Sequence, residues 1–109
     1  MVLVRIEVKD VLDSNYAATR EQAKPLATAI SNALREEIQV ELSFKDIEIL
    51  APNFLEELFY IIDVEGFREK RKSDIKFIST TKNQEETINE VTEFIDKYYN
   101  NNQGNKDNV

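Results

Sequence analysis

Residues 38–62, IQVELSFKDIEILAPNFLEELFYII, are the most apolar stretch of the chain and the part that most restricts its fold. Ile38, Val40, Leu42 and Phe44 alternate with Gln39, Glu41, Ser43 and Lys45. Successive side chains of an extended chain point to opposite faces, so the four apolar groups line one face of a strand. Pro52 and Asn53 end that pattern, and Phe54, Leu55, Leu58, Phe59, Ile61 and Ile62 follow at helical spacing. Asn53 is expected to cap this helix, with Glu56 three residues on and able to reach back to the cap amide. A strand therefore feeds a helix through a loop at 45–52, which specifies an α/β domain.

The flanking segments extend this unit. Val2, Val4, Ile6 and Val8 alternate with Leu3, Arg5, Glu7 and Lys9, predicting a first strand with charges on one face. Such a strand is not buried on both sides, which points to two layers rather than three. Residues 10–16 read as a loop. Thr19 and Gln22 form a capping-box pair ahead of the apolar stripe Ala23, Leu26, Ala27, Ile30, Ala33 and Leu34. Pro25 lies late for that start, so the regular helix is expected to begin at Lys24, with Pro25 in its first turn. Beyond the central unit, Gly66 is expected as a helix C-cap or turn residue, within a charged loop at 63–73. Ile75 to Ser79 forms a short third strand, and Asn83 with Glu86 caps a last helix. Ile88, Val91, Ile95 and Tyr98 make that helix's inward stripe, with Phe94 alongside. The order predicts a two-layer α/β sandwich: a mixed sheet, its first strand antiparallel, with about three helices mostly on one face. The domain is placed at 1–99 and a disordered tail at 100–109, where NNNQGNKDNV has nothing to bury.

Composition removes whole classes of chemistry. The 109 residues suffice for one core and include no histidine and no cysteine. Ser-His-Asp and Cys-His catalysis, thiolate metal sites and disulfides are therefore impossible within this chain. Only Gly66 and Gly104 occur, so a glycine-rich phosphate loop is missing, and no cofactor is expected. Asp46, Glu48, Glu56 and Glu57 lack the spacing of a hard-cation loop and read as a solvated rim. A net charge of −7 disfavours nucleic acid and anionic membrane partners. Arg68, Lys70, Arg71 and Lys72 form the one basic cluster, read as a solubilising loop rather than a phosphate site. Thr80 and Thr81, after the third strand, read as helix-capping hydroxyls. The start, MVLVRIEV, reads as a strand rather than a signal peptide, and no apolar run approaches a membrane span; the expected placement is cytoplasmic.

The segment VELSFKDIEILAPNFLEELF resembles the central segment of the STAS-like domains, small bacterial proteins without assigned function. Val40, Leu42, Phe44, Ile47, Ile49, Ala51, Pro52, Phe54, Leu55 and Leu58 carry the likeness, which extends over roughly residues 2 to 99. More distant relatives are the STAS domains of anti-anti-sigma factors, in which a serine at the start of the corresponding helix is phosphorylated by an ATP-binding anti-sigma kinase. A phosphate there meets free amides and the positive end of the helix dipole, and changes the charge of a docking surface. Asn53 stands at that position with Pro52 before it, and neither accepts phosphate. Any acceptor would have to be Ser43, Ser79, Thr80 or Thr81. The resemblance implies a non-enzymatic, regulatory protein-interaction module whose partner is a histidine-kinase-like ATP-binding protein. Its expected docking residues are Glu48, Asn53, Leu55 and Glu56, together with the loop from Glu48 to Pro52 that precedes the helix. The alternative is a homodimer or homo-oligomeric structural subunit that covers the wet sheet face.

Overall fold

The alternation at 38–44 becomes β3 (Gln39–Ser43), the middle strand of a sheet ordered β1-β3-β5, between β1 (Leu3–Glu7) and β5 (Ile75–Ile78). The structure is a computed structural model that describes the backbone of residues 2–107 and the side chains of residues 2–98. Val4 and Ile75 flank Val40, while Ile6 and Phe77 flank Leu42. Partners in register share a face, so one alternation runs across three strands. Val40 and Leu42 have no exposed surface, and they face the core. Leu3, Arg5, Gln39, Glu41 and Lys76 share the other face, where Leu3 is 53% exposed and Arg5 donates to Glu41 at 3.3 Å.

Both pairings are parallel, which corrects the expected mixed sheet. The connection from β1 to β3 carries α2 (Arg20–Arg35), and a helical crossover returns the chain to the edge from which the first strand began. A second, two-stranded parallel sheet joins β2 (Tyr16–Ala17) to β4 (Ile49–Leu50).

Among the described residues there are five helices, against the three or so expected. The two extra ones are short and lie in segments read as strand end or loop. α1 (Val8–Leu12) begins on Val8, which is fully buried. Val8, Val11 and Leu12 sit at i, i+3 and i+4, and all three pack on the core. α4 (Arg68–Asp74) takes up the basic cluster, and Arg71 is buried.

Helix starts separate local signals from tertiary ones. α2 begins directly after Thr19, with the Thr19–Gln22 capping box fully formed and Pro25 inside the helix. The expected start at Lys24 is therefore corrected. Pro25 is exposed, and it leaves the Glu21 carbonyl without its helical donor. Burial of Ala23, Leu26, Ala27, Ile30 and Leu34 outweighs that single lost bond. α3 (Pro52–Val64) is capped by the extended backbone of Ala51, with Pro52 at the first helical position and no side-chain cap bond. Asn53 is thus inside the first turn, not the cap, and Glu56 does not close a capping box. Proline at the first position needs no donor and has its φ preset, which moves the start one residue earlier than the Asn53 reading. α5 (Lys82–Asp107) is capped by Thr81, whose hydroxyl accepts from the Gln84 amide at 3.1 Å while Gln84 Oε1 accepts from the Thr81 amide at 3.0 Å. Thr81 and Gln84 do what Asn83 and Glu86 were expected to do.

α3 ends as the sequence leads one to expect. Gly66 has φ +95, and its amide donates to Asp63 O while the Phe67 amide donates to Ile62 O. That pair of bonds is the glycine-closed C-terminal turn that a residue with a Cβ fits poorly. The core is one cluster in which α2 and α3 pack together over β3, with Phe44, Phe54 and Phe59 among its largest members. Ile88 and Val91 of α5 join it; Phe94 and Tyr98 do not, at 54% and 57% exposed. Among the described residues no helix is long and apolar enough to cross a membrane. The expected tail at 100–109 lies outside the described side chains.

Candidate functional site

Parallel strands all finish on one edge, and in open α/β sheets ligands gather outside those carboxyl ends. Here α1 follows β1, the segment 44–51 follows β3, and α5 follows β5. Asp13, Asp46 and Ser79 turn the chain near this edge with positive φ of 51°, 63° and 56°. Asp adopts that backbone more readily than most residues, which suits it to these tight exits.

The segment leading into α3 is held from both sides. Ile47 is buried and its carbonyl accepts from Nε2 of Gln84, itself buried, at 2.9 Å. The Glu48 amide donates to Asn15 O at 2.8 Å, and the Ala51 amide donates to Ala17 O at 2.9 Å. Asn15 Nδ2 adds a bond to Glu48 Oε2 at 3.4 Å. These bonds clamp the segment between β2 and the start of α5. Arg20, the first residue of α2, reaches the second turn of α3, with its Nη1 on Glu57 Oε1 at 3.3 Å. The segment is thus tied down by hydrogen bonds on both sides rather than left as a loose loop.

The four residues expected to meet a partner are divided by this geometry. Glu48 is exposed, and Asn53 and Glu56 are partly exposed on the first two turns of α3. Leu55 has no exposed surface and belongs to the core, so it leaves the docking set. On α3 it lies a half-turn from the outward side and packs inward with Phe54 and Leu58. Two exposed apolar residues stand at this edge: Ile49, within the loop from Glu48 to Pro52 already expected to dock, and Tyr16, which the sequence reading left in a loop. Tyr16 and Ile49 are register partners of β2 and β4, 50% and 52% exposed. Their strands are only two residues long, too short for any periodic signal.

The acidic groups at this edge go to separate partners. Asp46 lies 3.9 Å from Lys9, Glu57 pairs with Arg20, and Glu48 meets Asn15. Among the described residues no group of three or more His, Cys, Asp or Glu is placed to hold a metal ion. The basic cluster is elsewhere, because α4 leads into the opposite end of β5. Arg71 is 4% exposed and forks onto Asp63 (2.6 and 3.2 Å), with Asp96 at 3.2 Å and the Phe59 ring centroid at 5.0 Å. It is a buried tie between α3, α4 and α5, not a solubilising loop residue. Of the suggested phosphoacceptors, Ser43 is buried, and Thr81 holds the cap of α5.

The model of a family described as a STAS-like domain of unknown function (DUF4325) matches residues 22–85, more than half of the chain. The matched span runs from the capping box of α2 to the first turn of α5 and so includes the clamped edge. No curated protein and no solved structure matches the chain significantly.

Proposed function

We propose, for a chain that belongs to the family of STAS-like domains of unknown function, a non-enzymatic role as a regulatory protein-docking module. The observation that carries this reading is the clamped edge at the carboxyl ends of the strands. Glu48, Asn53 and Glu56 stand there beside the exposed apolar pair Tyr16 and Ile49. A preset surface with apolar anchors and a polar surround loses little entropy when a partner binds. The partner is a histidine-kinase-like ATP-binding protein, by likeness to the anti-anti-sigma STAS domains. Pro52 and Asn53 stand where those relatives carry the phosphorylated serine, so docking here operates without that switch. The helices cover one sheet face in a two-layer arrangement, and the protein works in the bacterial cytoplasm.

The test is purification of the tagged chain from its host, with mass spectrometry of intact bait and prey. A stoichiometric ATP-binding partner that is lost on Asn53→Arg with Glu56→Arg supports the reading. A partner indifferent to those changes, or the bait alone at twice its monomer mass, overturns it. The second outcome is the self-association reading, which the exposed Val2, Leu3 and Val4 of the β1 edge favour, at 61%, 53% and 37%.

A further inference from the structure

We infer that the groove between α3 and α5 receives a basic amphipathic segment of the partner protein, an apolar side chain flanked by arginine or lysine. This rests on the docking reading above and adds the chemistry of what is recognised.

The groove is built by two helical stripes. Pro52, Glu56 and Tyr60 recur at i, i+4 and i+8 on α3, as do Glu90, Phe94 and Tyr98 on α5, so each trio lies along one side of its helix. Pro52, Glu56, Glu90, Val91 and Phe94 line a depression of about 240 Å³ between them. Val91, 4% exposed, is its buried apolar member. At its side Phe94 and Tyr98 stack with centroids 6.4 Å apart and planes at 22°, both more than half exposed. Two stacked rings left open to water on one helix face form an apolar patch that the domain's own core does not use.

Charge decides the occupant. Glu56 and Glu90 both line the groove, and among the described residues neither has a salt-bridge partner. Glu57, the next residue in the chain, does have one, in Arg20. Among the described residues no lysine or arginine lines the depression. A guanidinium or ammonium bound there would meet two unneutralised carboxylates and the negative faces of two aromatic rings. An anionic ligand would meet repulsion from the same groups. A second copy of this chain, net −7, would bring like charge to the groove. An apolar anchor over Val91 and Phe94 with cationic flanks matches the groups that line the groove.

The experiment is an NMR titration of the isotope-labelled full chain with a short amphipathic peptide carrying leucine on one face and arginine on the flanks. A counterpart peptide with glutamate in place of arginine is run in parallel. Expected are shifts at Glu90, Val91, Phe94 and Tyr98 with the arginine peptide only, weakening as salt rises. Glu90→Lys and, separately, Phe94→Ser should each weaken binding by about tenfold or more, and Glu90→Lys should admit the glutamate peptide. Both changes lie on an exposed helix face, and unchanged spectra elsewhere verify the fold. Absence of groove shifts at millimolar peptide, shifts centred on the β1 edge, or equal binding of both peptides overturns the inference. Glu56 belongs to both surfaces, so the two readings are separated by judging host capture on Asn53→Arg alone and the groove on Glu90 and Phe94.

Discussion

Replacing Arg71 by methionine tests how α3, α4 and α5 are tied together. The guanidinium is almost wholly buried, holds Asp63 through two bonds at 2.6 and 3.2 Å, and reaches Asp96 at 3.2 Å. Methionine keeps much of the aliphatic stem and removes the charge. Asp96 still has Lys72 at 3.5 Å and Arg68 at 3.7 Å, and its side chain is 27% exposed, so it tolerates the loss. Asp63 does not, since its side chain is 7% exposed and among the described residues its only cation is Arg71. Leaving one partner of a buried pair uncompensated costs about 3–5 kcal/mol. That is a large share of the ~5–15 kcal/mol that stabilises a typical domain. With a urea dependence of about 1–3 kcal/mol per molar, a loss of ~4 kcal/mol lowers the unfolding midpoint by about 2 M, read by far-ultraviolet circular dichroism. Adding Asp63→Leu to Arg71→Met replaces the pair by apolar groups and should recover most of the loss. A single-variant cost under ~1 kcal/mol, or a double variant no better than the single, would refute the view that a desolvated pair holds α3, α4 and α5 together.

Three smaller perturbations separate capping from packing. Thr19→Ala removes the N-cap of α2 and should cost about 1 kcal/mol in the same urea assay. Asn53→Ala should stay within about 0.5 kcal/mol of the parent, because Asn53 is not a cap; a loss near 1 kcal/mol would restore the capping role that the structure denies it. Gln84→Leu leaves the buried Ile47 carbonyl without its donor and opens the Thr81 cap, for about 1–3 kcal/mol. Amide exchange should then quicken at 44–51 before it does in β3, and uniform quickening would contradict a local clamp.

The sequence by itself determined the elements whose signals are local. Alternation in Gln39–Ser43 needs only the period of an extended chain, and the core stripe of α2 needs only the turn of a helix. The Thr19–Gln22 box and the Gly66 turn are closed by residues within a few positions of each other, so both were legible. The likeness to STAS-like domains was legible too, because the pattern of the central unit carries it, and the family match covers that unit. Tertiary structure decided what depends on distant atoms. Strand direction left no mark on β1, whose alternation is the same whether its neighbour runs parallel or antiparallel; the α2 crossover settled it. Pro25 argued against the early start of α2 by local rules, and burial of the opposite face overrode them. Leu55 and Tyr98 were placed on the wrong sides of the surface because helical spacing defines a stripe but not which of its margins finds a neighbour. By sequence Arg71 was one of four cations within five residues; in the fold Asp63, Asp96 and Phe59 close around it. A local signal is complete within one turn or one pleat, whereas burial is a property of whatever the rest of the chain brings alongside.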